Sequence, residues 1–247
     1  MRIALIGYGK MGKEVEAAAK SLGHEITGVF HADRMLSPET LKEAKADVAI
    51  DFTEPHAVLP NVRVCGKAKI PIVIGTTGWE KELPKVKSLL EESKIGCVIA
   101  SNFSVGVNLF LEIVRQASRA VSAAGYDAYI LEAHHRAKKD FPSGTALRVS
   151  EAVLAGLKSK SRTSSELEQG SAIPADTLHI SSIRAGAITG THTVGFESEE
   201  DTIELTHRAR SRRGFAMGAV RAAEWIRKRE GFYRFEENIH EILEMRK

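Results

Sequence analysis

The chain has 247 residues, of which 43% are hydrophobic and 27% charged, a composition typical of a globular protein with one large or two small domains. Its 35 Lys and Arg residues nearly balance 32 Asp and Glu residues, which argues against a protein that binds nucleic acid through the phosphates. No apolar run approaches the roughly 20 residues that span a bilayer, and the apolar start reaches Gly7 too early for a secretory signal peptide.

The first hundred residues alternate apolar strands with amphipathic helices. Predicted strands cover residues 2–6, 26–30, 48–52, 71–74 and 96–100. Predicted helices cover residues 10–22, 37–45, 55–68 and 79–93. Strands that are apolar throughout and alternate with helices predict an α/β fold, with a parallel sheet covered on both faces. The carboxyl ends of such strands meet at one edge, where open α/β sheets bind ligands.

The pattern changes after residue 104. Helices are predicted at 105–122 and 144–157, and strands at 126–133, 178–184, 192–196 and 202–207. The polar stretch 158–169 is predicted to be a surface loop or a short helix. Strands that follow one another without helices indicate a second, α+β domain with a mixed or antiparallel sheet. A closing helix at 215–228 could return to the first domain.

The first chemical motif is a G-x-G-x-x-G loop between the first strand and the first helix. Its glycines allow a tight turn and a close approach of the backbone to a pyrophosphate, which then faces the helix N-terminus. We therefore predict NADPH or NADH as the cofactor. The predicted contact residues in this loop are Gly7, Gly9, Lys10, Met11 and Gly12.

The residues that contact the adenosine ribose are expected after the second strand. Asp33 can accept hydrogen bonds from the ribose hydroxyls, whereas Arg34, His31 or Lys10 can favour a 2′-phosphate. These features point in opposite directions, so the preference between NADPH and NADH stays open.

Three further turns follow predicted strands and are expected at the same sheet edge, near the nicotinamide ring. Glycine and threonine are common in turns, so each turn alone is weak evidence, but three at successive strand ends are stronger together. The predicted cofactor contacts in these turns are Phe52, Gly75, Thr76, Thr77, Ser101, Asn102 and Phe103.

The most informative segment is residues 132–146, EAHHRAKKDFPSGTA. A predicted strand enters a loop rich in histidine and cations, and Ser143 can cap the helix that follows. Cations beside a helix N-terminus suit an organic anion such as a carboxylate. Histidine titrates near neutral pH and lysine can donate a proton. No further ligands stand at a spacing usable for zinc, so we predict no metal. The alternative is an exposed basic loop before a capped helix.

This segment closely resembles the E-x-H-H-x-x-K-x-D-x-P-S-G-T-A signature of the dihydrodipicolinate reductase family. The glycine motif and segments 51–53, 75–78, 102–108, 191–194 and 207–225 match that family in the same order, over nearly the whole chain. The resemblance implies that NADPH or NADH reduces 4-hydroxy-tetrahydrodipicolinate, a cyclic dicarboxylate, to tetrahydrodipicolinate in the diaminopimelate and lysine pathway.

The resemblance also implies a domain organisation and residue roles. Residues 1–104 and 213–247 would form a Rossmann-like dinucleotide-binding domain, and residues 105–212 a substrate-binding domain that builds a homotetramer. His134 and Lys138 match the acid/base and proton-donor positions. The candidate substrate contacts are His135, Lys138, Ser143, Gly144, Thr145 and Arg212.

Two other functions stay open at this point. An amino-acid dehydrogenase of the aspartate dehydrogenase type also joins a Rossmann domain to an α+β domain, but it would lack the HHxxK and SGTA combination. A nucleotide-sensing protein without catalysis would leave the His134 and Lys138 pair unexplained. Cys65 and Cys97 lie in apolar surroundings, which predicts reduced core thiols in a cytoplasmic protein.

Overall fold

The computed structural model describes residues 1–31 and 33–245. The chain forms two compact units, one from Met1–Val105 with Arg212–Lys247 and one from Gly106–Ser211. Residues 246 and 247, at the end of the predicted first domain, lie outside the described residues. Among the described residues, no helix is both long enough and apolar enough to cross a membrane.

The first half of the chain alternates strands and helices as predicted. Its strands are β1 (Arg2–Ile6), β2 (Glu25–Phe30), β3 (Val48–Asp51), β4 (Ile72–Ile74) and β5 (Gly96–Ile99). Its helices are α1 (Lys10–Ser21), α2 (Pro38–Glu43), α3 (Pro55–Ala68) and α4 (Leu83–Ser93). Helix α2 begins one residue later than predicted because Ser37 is its N-cap, and the Ser37 hydroxyl accepts a hydrogen bond from the Thr40 amide.

The second half contains the elements of the other unit and a return to the first. Its elements are α5 (Val105–Val121), β6 (Asp127–His134), α6 (Gly144–Leu154), β7 (Arg162–Ser164), β8 (Thr177–Arg184), β9 (Thr191–Glu197), β10 (Thr202–Arg208), α7 (Arg213–Ile226), β11 (Gly231–Arg234) and α8 (Ile239–Glu244). The prediction of a loop or short helix at 158–169 was wrong at β7, which is a short edge strand. Strand β11 and helix α8 were not predicted.

The first unit has a six-stranded parallel sheet in the order β11-β5-β4-β3-β1-β2, which confirms the predicted α/β class. Strand β1 lies between β2 and β3, so the chain reverses its direction across the sheet at that point. Ligands of open α/β sheets bind at such a reversal, beyond the carboxyl ends of the strands.

The core of the first unit lies on both faces of this sheet. Helices α2, α3 and α4 bury side chains such as Leu41, Val62 and Leu90 on one face, and α7 packs against β3, β4 and β5. Cys65 and Cys97 are buried and form no disulfide, as the sequence predicted. Burial on both faces explains why these strands are apolar at consecutive positions.

The second unit has a five-stranded mixed sheet in the order β10-β9-β6-β8-β7. Strands β6, β8 and β7 are parallel, whereas β9 is antiparallel to β6 and β10. One face, which includes Ile130, Ile180 and Val194, packs in a core with Val114 of α5 and Val149 of α6. The prediction of a mixed sheet is confirmed.

Helix α7 approaches the chain at Phe103 so closely that only glycine fits at position 218. A Cβ at Gly218 would lie 1.7 Å from the Phe103 carbonyl oxygen, whereas a Cβ at Gly214 would have its nearest neighbour, Ser104 Oγ, at 3.7 Å.

We expect Gly218→Ala to lower the melting temperature. Gly214→Ala, the matched control on the same helix, should keep or raise it, since alanine favours helix by up to about 1 kcal/mol. Equal melting temperatures for the two variants would contradict this close approach.

Candidate active site

The glycine loop of the first unit leaves an open cradle at the start of α1. A Cβ at Gly7, where φ is +88°, would lie 2.3 Å from the Phe52 carbonyl oxygen, and one at Gly12 would lie 2.4 Å from the Gly7 oxygen. A Cβ at Gly9 would meet nothing within 4 Å. Gly7 and Gly12 therefore serve close backbone packing, whereas Gly9 borders open space. Lys10 and Met11 form the first turn of α1.

The turn after β2 carries an acidic residue, a histidine and an arginine. The Asp33 carboxylate lies 3.5 Å from His31 Nδ1 and its side chain is 93% exposed. The Arg34 guanidinium lies over the Phe30 ring, 5.3 Å from its centroid. The Gly7 amide donates to the Phe30 carbonyl at 2.8 Å, which ties this strand end to the glycine loop.

The turns after β3, β4 and β5 meet, as predicted. A Cβ at Gly75 would lie 2.1 Å from the Phe52 ring, and the Phe52 and Phe103 ring centroids are 6.4 Å apart. A cavity of about 160 Å³ lies at this edge of the sheet. Its lining includes Thr76, Thr77 and Ser101. Asn102 is buried next to Phe103.

In the second unit, the register of the sheet assembles a polar cluster at one end of the core. Glu132 on β6 pairs with His192 on β9 and with Ser182 on β8. Two residues further along β6, His134 pairs with Arg184 of β8. Paired residues on neighbouring strands point to the same face, so these side chains converge.

Glu132 is fully buried and accepts hydrogen bonds at both oxygens. Its Oε1 accepts from Arg184 Nη2 at 2.6 Å, from Ser182 Oγ at 2.7 Å and from the Ser143 amide at 3.3 Å. Its Oε2 is bonded to His134 Nδ1. Burial opposes ionisation of this carboxyl, but the hydrogen bonds from Arg184 and Ser182 outweigh it and hold the pKa of Glu132 below its usual range.

His134 is held as a neutral imidazole whose Nδ1–H faces Glu132. Burial lowers the pKa of His134, although the Glu132 charge opposes that shift. Its Nε2 lies beside Gly190, where a Cβ would come within 3.1 Å. A neutral histidine oriented by a carboxylate can accept a proton at Nε2 and pass it on.

The loop after β6 carries Lys138 next to this pair in sequence. Lys138 Nζ donates to both oxygens of Asp140, at 2.8 and 2.9 Å, and lowers the pKa of that carboxyl. Arg184 Nη2 also donates to the Asp140 carbonyl at 2.8 Å, so the loop is braced against the Glu132 cluster. The Lys138 amide bonds to the His135 carbonyl at 3.1 Å.

Helix α6 begins beside the same cluster. Ser143 is its N-cap, as predicted, and its hydroxyl accepts from the Ala146 amide at 3.2 Å. His192 Nε2 lies 3.2 Å from the same hydroxyl. A Cβ at Gly144 would meet nothing within 4 Å, so there is open space beside the first residue of α6. Arg212, the remaining predicted contact, is exposed at the N-cap of α7 in the first unit.

Sequence reasoning missed four residues of the cluster, Glu132, Ser182, Arg184 and His192. Alternation along β8 and β9 shows which face each side chain takes but not the register between strands. Glu132, His134 and His192 also offer ligand atoms within 4.8 Å of one another, a grouping that their spacing in the chain did not suggest. In this arrangement Glu132 bonds to His134, and His192 to Ser143. That no metal binds stays a prediction.

The lowered pKa of His192 makes the free energy of unfolding depend on pH. Burial lowers the pKa of His192 to about 4. The unfolded chain takes up this proton near pH 6.5 and the folded chain does not, so the free energy of unfolding decreases as pH falls from about 6.5 to 4. A shift of this size corresponds to roughly 3 kcal/mol.

We expect His192→Leu to reduce this decrease, because leucine fills the buried position without a titrating group. Urea unfolding at several pH values between about 4 and 8 measures the slope. Burial also lowers the pKa of His134 and of His207, so the variant should keep part of the slope. A slope identical to that of the parent would show that His192 does not titrate in this window.

Comparison with known proteins gives one consistent family. The models described as dihydrodipicolinate reductase, N-terminus, and dihydrodipicolinate reductase, C-terminus, match residues 1–103 and 106–239. A 4-hydroxy-tetrahydrodipicolinate reductase of Christiangramia forsetii is 38% identical over 98% of this chain and 99% of its own. One of Methanosarcina acetivorans is 40% identical over 94% and 86%. The solved structure of dipicolinate-bound dihydrodipicolinate reductase from Paenisporosarcina sp. TG-14 is 27% identical, with a TM-score of 0.77 over 96% and 98%.

Proposed function

The chain belongs to the dihydrodipicolinate reductase family, and we propose that the two clusters described above are its nucleotide and substrate sites. It reduces 4-hydroxy-tetrahydrodipicolinate to tetrahydrodipicolinate with a nicotinamide nucleotide. The family matches exclude the alternatives of an amino-acid dehydrogenase and a non-catalytic nucleotide sensor. The observation that carries the substrate-site proposal is the buried Glu132–His134 pair beside the open first turn of α6.

The nucleotide would be held by the first unit. The space at Gly9 receives the pyrophosphate at the N-terminus of α1, and the turns around Phe52, Gly75 and Phe103 receive the nicotinamide end. When bound, the nicotinamide supplies a hydride. We propose that both NADPH and NADH are used, because Asp33 favours ribose hydroxyls while Arg34 favours a 2′-phosphate.

The substrate dicarboxylate would be held by the second unit. Amide groups at the first turn of a helix attract an anion, and α6 begins at Gly144, beside which a Cβ would meet nothing within 4 Å. Cationic Lys138 and the neighbouring His135 supply further attraction for a carboxylate. The Glu132 cluster fixes where this turn begins, because Glu132 Oε1 accepts from the Ser143 amide.

The proton would come from Lys138. Loss of the 4-hydroxyl group of the substrate as water leaves a conjugated dihydropyridine ring. As that ring takes up a hydride, negative charge develops on its conjugated atoms, and an ammonium group stabilises that charge and then donates a proton. Asp140 holds the Lys138 side chain in place through two hydrogen bonds. His134, oriented by Glu132, tunes or relays this proton through its free Nε2.

An assay with enzymatically generated substrate tests the function directly. Loss of NADPH or NADH absorbance that depends on substrate is the expected result, and the ratio of kcat/KM for the two nucleotides should stay below about a thousandfold, or 4 kcal/mol. No oxidation with either nucleotide would reject the function. A larger ratio would reject only the dual use of cofactors.

Gly9 in the proposed nucleotide site and Gly144 in the proposed substrate site allow matched substitutions. Gly9→Ala and Gly144→Ala each add a methyl group where it meets no protein atom within 4 Å. Gly9→Ala should raise KM for the nucleotide and leave KM for substrate near the parent value, and Gly144→Ala should do the reverse. Each variant is the control for the other in steady-state assays. The same pattern from both variants would contradict the assignment.

Substitution of Lys138 tests the proton donor. We expect Lys138→Ala to lower kcat by at least about 100-fold, the low end for a lost general acid. Lys139→Ala, an exposed neighbour, is the matched control and should keep kcat. His134→Gln should lower kcat and remove one limb of its pH profile. Near-normal turnover of Lys138→Ala at saturating substrate would make this lysine a counter-charge only.

We propose that the chain assembles as a homotetramer through the outer face of the second sheet. The face opposite the core carries Tyr129, Leu131, His179 and Ile183, and Ile183 is 45% exposed. A second copy of the same sheet would cover these residues. Sedimentation equilibrium should give a mass four times the 27.0 kDa of the chain, and a monomer at micromolar concentration would contradict it.

We also propose a cytoplasmic location. Cys65 and Cys97 are buried thiols, and burial strongly raises both pKa values, so neither is a reactive thiolate. Reduced thiols of this kind are typical of a cytoplasmic protein.

A further inference from the structure

We infer that Asp51, the last residue of β3, is a positioning residue for the nucleotide. Its carboxylate holds the turns after β3 and β4 in the shape that receives the cofactor. This inference rests on the proposed nucleotide site and adds to it a residue that the glycine motif does not contain. It concerns the first unit alone.

The Asp51 carboxylate is fully buried and its acceptor capacity is used. Oδ1 accepts from Thr53 Oγ1 at 2.6 Å, from the Thr53 amide at 2.9 Å and from Thr76 Oγ1 at 3.0 Å. Oδ2 accepts from Asn61 Nδ2 of α3 at 2.9 Å. A carboxylate has about four acceptor sites, so these four hydrogen bonds nearly saturate it.

The Thr76 hydroxyl joins the two turns to each other. It donates to Asp51 and accepts from the Thr53 amide at 2.8 Å, so one side chain bonds to both ends of the turn after β3. The Thr76 carbonyl in turn accepts from Trp79 Nε1 at 2.8 Å. The turn after β4 is therefore fixed on two sides by groups that are themselves buried.

Phe52 packs against both the glycine loop and the turn after β4. It stands between Asp51 and Thr53, and Asp51 Oδ1 accepts from both the amide and the hydroxyl of Thr53. Its own carbonyl lies against Gly7 and its ring against Gly75, within distances that exclude a Cβ at either glycine. A shift of this turn would therefore collide with the glycine loop or with the turn after β4.

The geometry assigns this role to the acceptor atoms of Asp51 and not to its charge. The four donors at Asp51 are hydroxyl and amide groups, and none of these four is a cation; burial raises the pKa of Asp51. An asparagine at this position keeps an oxygen for the three donors at Oδ1. Its amide can donate to Asn61 once the Asn61 side-chain amide turns over.

The experiment is a fluorescence titration of NADPH and NADH into the parent and four full-length variants. Asp51→Leu removes the acceptors and Asp51→Asn keeps them; Thr53→Val removes the hydroxyl that donates to Asp51 Oδ1, and Thr53→Ser keeps it. We expect Asp51→Leu and Thr53→Val to raise Kd for both nucleotides by at least about tenfold, the effect of losing buried hydrogen bonds. Asp51→Asn and Thr53→Ser should stay within about threefold.

Calorimetric binding of dipicolinate is the control, because it reports on the second unit and should not change in any variant. Parent-like nucleotide affinity in Asp51→Leu or Thr53→Val would overturn the inference, as would equal losses in Asp51→Asn and Asp51→Leu. If Asp51→Leu does not fold, the Thr53 pair decides. Failure of the proposed function would appear separately, as a parent that binds nucleotide but turns over no substrate.

Discussion

The second unit depends on keeping one carboxylate, Glu132, ionised in a fully buried position. Such a charge is stable only if donors from several elements reach it, and here they come from Arg184, Ser182, Ser143 and His134. These partners fix the register of the sheet, the start of α6, the loop after β6 and the tautomer of the histidine. The geometry proposed for substrate binding and proton transfer follows from that requirement.

Both units use a buried carboxylate to hold the turns of the proposed ligand site. In each, a buried carboxylate stands at or near the end of a strand and accepts hydrogen bonds from the turns that would face a ligand, Asp51 in one and Glu132 in the other. Short turns built of glycine, serine and threonine have little side-chain packing to hold them. A shared buried acceptor replaces that packing and holds each turn in one shape.

Local patterns predicted most of the fold because its strands are apolar at consecutive positions and its turns carry glycine. They also predicted the Ser143 cap, which depends on neighbouring residues only. Glu132, Arg184 and His192 were missed because they meet through pairing between strands 50 or more residues apart, which single-strand patterns do not encode. Strand β7 was missed because it is short, polar and at a sheet edge.

A crystal structure of the protein with dipicolinate and NADPH would show where the substrate carboxylates bind. We expect one carboxylate within hydrogen-bond distance of the Gly144 and Thr145 amides, with Lys138 Nζ and His134 Nε2 facing the ring. Glu132 should keep its bonds to His134 and Arg184. Dipicolinate bound elsewhere, with the first turn of α6 free, would contradict the assignment of the Glu132 cluster as the substrate site.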